Sequence, residues 1–152
     1  MNLVLALSNF PVIYPVYQSI INNDYWTTVP IVFVGAMSFV SHLVENHKHG
    51  MPGIGFSEST SYILNRLDVL GSIMTGSRFA YLYYQKFGFS LTGIVQNKFL
   101  FCWALLSFLF LRISEYDKYN PKLQNKYIVT HCAWHFNIYM VMNYFLKYVI
   151  YQ

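Results

Sequence analysis

Charge is scarce in this chain of 152 residues: Asp, Glu, Lys and Arg together make up 11 % of it. Soluble domains carry about 25 %, so a surface that faces water on all sides is excluded. The net charge of +4 is scattered along the chain, with no basic stripe. That argues against nucleic acid as a partner. Cysteine is almost missing. Cys102 and Cys132 each fall inside an apolar segment and read as buried packing thiols, not a disulfide. No charged residue occurs before Asp24, and the N-terminus has neither a basic stretch nor a small-residue cleavage site. The expectation is a retained first span, not a cleaved signal peptide. Internal repeats and low-complexity tracts are also lacking.

Apolar and aromatic residues fill the space that charge leaves. Hydrophobic residues make up 55 % and aromatic residues 20 %, with 14 Tyr, 13 Phe and 3 Trp. Tyr and Trp favour the headgroup zone of a bilayer. Charged residues and Gly/Pro turns then divide the chain into five apolar segments: 3–21, 25–44, 61–84, 92–113 and 127–150. A helix needs about 20 residues to cross a hydrocarbon core of about 30 Å. The sequence therefore predicts an all-α fold, a single polytopic membrane helix bundle with about five transmembrane helices. Pro11 and Pro15 should kink the first, which neighbouring helices can tolerate. The third is the weakest, because it holds Arg66, Asp68 and Arg78. Polar connections are expected at 45–60, 85–90 and 115–126, the last containing Pro121.

Two histidines stand out in the last segment. His131 and His135 are four residues apart and so share one face of a helix. A similar pair, Ser38 and His42, closes the second segment, and Asp68 lies near the start of the third. Ionisable groups at membrane depth usually mark a site or a proton path. With five spans, the end of the second, the start of the third and the start of the fifth fall on one membrane face, so all five residues share a leaflet. Lys and Arg divide six to four in favour of that face, which predicts a cytosolic site.

Three neutral imidazoles and a water make a catalytic zinc site. Zinc brings the pKa of such a water to about 7, a carboxylate can orient the water, and a hydroxyl can stabilise an oxyanion. His42, His131 and His135 are the candidate ligands, Asp68 the residue that handles the water, and Ser38 the residue that faces a substrate carbonyl. Blander readings stand beside these. Asp68 can pair with Arg66 or cap the third span, and Ser38 can be a small packing residue. His47 and His49 fall in a polar connection, with His47 the nearer spare ligand. Cys132 points about 100° away from His131 on a helix and is not counted as a ligand. Bis-histidine haem does not suit two His one turn apart on one helix. A di-iron desaturase is similar to a cage of about eight histidines, whereas this chain has five.

Ser38-x-x-x-His42, Asp68 and His131-x-x-x-His135, in that order and at those span positions, resemble the CREST superfamily of membrane hydrolases. That group includes the alkaline ceramidases, the progestin and adipoQ receptors and the GPI-processing phospholipases. The resemblance implies zinc held by His42, His131 and His135, water held by Asp68, and Ser38 at the carbonyl. It also implies hydrolysis of a membrane lipid amide or ester, ceramide-like amides favoured. The family has a seven-span core and this chain five. Losing an even number of spans keeps the last histidine pair on the same face as His42. The alternative is a non-catalytic membrane protein with a structural zinc clamp, a lipid sensor or receptor-like protein.

Overall fold

The computed structural model describes residues 2–45, 55–118 and 120–152. Among these residues every regular element is helical. The first apolar segment is not one helix. It consists of α1 (Asn2–Leu7), a 3-10 turn at Phe10–Val12, and α2 (Ile13–Ile21). The break falls just ahead of Pro11, which lacks an N–H to continue the ladder. Next come α3 (Tyr25–Val44), the 30-residue α4 (Glu58–Phe87), the short α5 (Leu91–Gln96), α6 (Lys98–Asp117) and α7 (Gln124–Phe145). A π-helical turn, Leu146–Ile150, extends α7.

The helix ends have local causes. Asp24 caps α3 by accepting a hydrogen bond from the Thr27 N–H (3.1 Å), as an acid at a helix start should. Ser57 caps α4 through the Thr60 N–H (3.2 Å), so that helix begins before residue 61. Asp68 lies well inside it and does not cap it. Gly88 ends α4 with φ +62°, backbone that favours glycine. The expected connection at 115–126 is also shorter, because α6 runs on to Asp117 and α7 already starts at Gln124. His47 and His49 lie outside the described residues.

Helix α3 packs on α4, and α6 on α7, while α1 and α2 lie against α3 and α7. The α3–α4 seam is close. A Cβ added at Gly71 would sit 2.9 Å from Val34 Cα. Thr75 and Ser61 on α4 donate to the carbonyls of Pro30 (3.0 Å) and Val44 (2.9 Å). At one end of the bundle, Arg78 on α4 clasps both Asp24 oxygens (3.0 and 3.1 Å), and the Tyr151 hydroxyl donates to the same carboxylate (3.0 Å). Burial opposes the Asp24 carboxylate. The hydrogen bonds from Thr27, Tyr151 and Arg78 outweigh it and hold its pKa below the ordinary range. At the other end Lys118 pairs with Glu45 (2.7 Å), and Lys126 with the fully buried Asp117 (3.0 Å).

The exterior is apolar and small polar groups are inside. On α6 the buried residues are Ser107, Ser114 and Asp117, whereas Phe99, Leu105, Phe108 and Leu109 are exposed. Membrane helices pack through small residues in this way, and a soluble protein does not expose apolar area on such a scale. Among the described residues, three helical stretches are long and apolar enough to cross a membrane: Leu3–Ile21, Tyr25–Val44 and Lys98–Asp117. The other two long helices carry the polar residues noted above, Asp68 and Arg78 on α4 and the histidine pair on α7. They lie outside that group of three.

Candidate metal centre

His42 arrives from the last turn of α3, and His131 and His135 from successive turns of α7. The structure brings all three together, although His131 lies 89 positions from His42. Each imidazole offers a nitrogen within 4.8 Å of those of the other two, and all three residues are buried. Their exposures are 3 %, 5 % and 4 %, so water does not satisfy the rings and the protein must.

The hydrogen bonds decide which ring nitrogen faces inward. The Ser8 hydroxyl gives its one proton to the Leu5 carbonyl (2.6 Å). Towards His135 Nδ1, at 2.7 Å, it can then only accept. The Ser114 hydroxyl likewise donates to the Leu111 carbonyl (2.7 Å) and accepts from His131 Nδ1 (3.0 Å). His42 Nδ1 faces the Glu45 carboxylate at 3.2 Å, which also only accepts. In that arrangement each neutral ring keeps its proton on the outer Nδ1, and each Nε2 is left able to present a lone pair. His131 Nε2 lies 3.1 Å from His42 Nε2. Two lone pairs at that distance repel unless a proton or a metal cation lies between them. Two imidazole nitrogens on one tetrahedral zinc, each about 2.0–2.1 Å from it, stand about 3.3–3.4 Å apart. The donor set and its spacing fit a metal ion.

Ser38 and Asp68 are at the same place. Ser38 Oγ lies 3.5 Å from His135 Nε2. The Asp68 carboxylate lies beside Ser38 and close enough to feel His42, Glu45 and Lys118. Arg66 stacks on the Tyr62 ring instead (4.8 Å). Beneath the cluster, Tyr139 follows His135 by one turn on α7, and its hydroxyl donates to the buried Asn9 (3.0 Å). Cys132 is half-buried against Leu5 and Tyr127.

Five residues predicted from sequence thus meet, and the structure adds three that sequence reasoning passed over. Ser8, Glu45 and Ser114 each hold one imidazole by its outer nitrogen. Glu45 had a signal: it lies three residues after His42, on the same helix face. Ser8 and Ser114 had none beyond a break before Pro11 and a serine near a helix end.

Fold and site define a helical bundle with an apolar exterior and a buried three-histidine cluster that can hold a metal ion. No family model and no solved structure matches the chain. It is 55 % identical over 150 residues to the uncharacterized protein L282 of Acanthamoeba polyphaga mimivirus, covering 99 % of each chain. The chain belongs to the same family as that viral protein.

Proposed function

We propose that this protein is a five-span membrane protein, its site face cytosolic, that hydrolyses an amide or ester bond in a membrane lipid with zinc as cofactor. One observation carries the reading: three buried imidazoles bring ring nitrogens within 4.8 Å of one another, with Ser38 and Asp68 beside them. Three neutral histidines with room for a further ligand are the donor set of catalytic zinc. His42, His131 and His135 would hold it. Zinc, when bound, supplies a Lewis acid that polarises a carbonyl and acidifies water.

The chain's own residues do the rest. Asp68 accepts a proton from the attacking water and returns it to the leaving group. The Ser38 O–H lies beside Asp68. With a lipid carbonyl beside it, the same O–H turns to the developing oxyanion. The apolar exterior supports a substrate that reaches the site from the bilayer, and the resemblance to lipid amidases and esterases favours ceramide-like amides.

A structural zinc clamp is the competing reading. The observation in its favour is the closed floor under the histidines, where Tyr139 and Asn9 are buried and bonded to each other. The deciding experiment is a lipid panel. Purified protein is incubated with short-chain ceramides, lysolipids and acyl esters, with and without added zinc. Zinc-dependent release of a fatty acid supports the hydrolase. No turnover of any lipid, with melting of the bundle when zinc is removed, supports the clamp.

A further inference from the structure

The three imidazoles are not held alike. Ser8 and Ser114, both neutral hydroxyls, hold His135 and His131. A carboxylate holds His42. That carboxylate belongs to Glu45, the C-cap of α3. The end of a helix carries partial negative charge, so an acid there is locally unfavourable. Two contacts offset that cost. Glu45 Oε2 faces His42 Nδ1 at 3.2 Å, and Oε1 takes the Lys118 ammonium at 2.7 Å. Lys118 directly follows α6, the helix that also supplies Ser114. The two carboxylate oxygens therefore join the end of α3 to the end of α6, and the imidazole of His42 is the group so aimed.

We infer that Glu45, braced by Lys118, is a positioning residue that fixes the orientation and donor strength of His42 as a metal ligand. The inference rests on the metal reading above. An ionised acceptor makes a hydrogen bond about twice as strong as a neutral one, so of the three outer contacts this one does most to lock its ring. Partners of this kind typically change metal affinity about 10–100-fold when removed. A plain ion pair between the helix ends would act differently. It would contribute about 0–1 kcal/mol to stability and leave the metal's surroundings untouched.

The test uses full-length protein in detergent, stripped of metal and titrated with cobalt(II) as a spectroscopic probe, then with zinc in competition. Wild type is expected to show the intense visible bands of tetrahedral cobalt. Glu45→Gln is expected to weaken zinc about 10–100-fold and to shift the cobalt bands, and Glu45→Asp to restore part of the affinity. Lys118→Met leaves the carboxylate in place and should give a smaller loss in the same direction. It is the variant to read if Glu45→Gln does not fold. Should wild type bind metal while Glu45→Gln binds it equally tightly with unchanged bands, the inference is overturned and the metal reading stands. Unchanged affinity in Lys118→Met, where only that variant folds, overturns it as well. Should wild type bind neither metal, the metal reading falls and this inference with it.

Discussion

His42 Nε2 and His131 Nε2 meet at 3.1 Å, while the outer nitrogen of each ring faces a partner that can accept its proton. An arrangement of that kind is stable when a cation is shared. We expect one zinc per chain in protein purified without chelator, measured by elemental analysis. Replacing His131 and His135 together by alanine should abolish it. A wild-type content near zero, or no loss in the double variant, contradicts the metal centre.

Asp68 should matter for turnover and not for metal retention. It lies near Ser38 and His42 and is not part of the three-histidine group. Asp68→Asn keeps the shape and removes the base. Zinc should remain at the wild-type level while lipid hydrolysis falls by about 10²-fold or more, the usual scale for a general acid–base group. Loss of zinc in this variant would make Asp68 a ligand.

The limits of α3 were legible because charge marks both ends: Asp24 supplies the cap and Glu45 follows the last apolar residue. The start of α4 was three residues off because its signal is the Ser57 hydroxyl on the Thr60 N–H, not hydropathy. The candidates His42, Asp68, His131 and His135 were legible because each is an unusual type inside an apolar run, and Ser38 because it lies one helical turn before His42. Ser8 and Ser114 were not. Serine is common in membrane helices, and what distinguishes these two is contact with imidazoles 127 and 17 positions away.

The α3–α4 seam offers a test of packing. A methyl group at Gly71 would meet Val34 Cα at 2.9 Å and Val34 Cβ at 3.1 Å. Backbone cannot step aside as a flexible side chain can. Gly71→Ala should therefore destabilise the bundle by about 1–3 kcal/mol, the range for overpacking, and lower its melting temperature. Gly76, on the same helix, has open space around it. Gly76→Ala should be neutral or stabilising by helix propensity. Equal effects at the two positions would mean that α3 and α4 do not approach as described.

The far end of the bundle should respond to acid through Asp24. Its pKa is depressed in the folded state: burial raises it, but hydrogen bonds from Thr27, Tyr151 and Arg78 lower it further. A depressed carboxyl gives stability that is complete above its unfolded pKa, about 3.9, and is lost as pH falls through the lower folded value. Thermal melts in detergent should show this acid step in wild type and a smaller one in Asp24→Asn, which should also melt lower at neutral pH. Identical pH profiles would remove Asp24 from the account.

Hydrolase and clamp separate most cleanly at Ser38. A structural metal site has no use for a hydroxyl next to the ligands. Ser38 is 2 % exposed, and its oxygen lies 3.5 Å from His135 Nε2, too far for a strong hydrogen bond. The ring of His135 is held instead by Ser8 on its other side. Removing the Ser38 hydroxyl should therefore leave zinc content, fold and melting temperature close to wild type. In a hydrolase the same change removes a donor aimed at the oxyanion, which typically costs about 10²–10³ in rate. We expect Ser38→Ala to lose lipid hydrolysis on that scale, measured on whichever lipid the wild type turns over, with zinc content determined on the same samples. Full activity in Ser38→Ala would leave the hydrolase standing without this residue. A fall in zinc content parallel to activity would mean that the hydroxyl supports the metal and not the reaction.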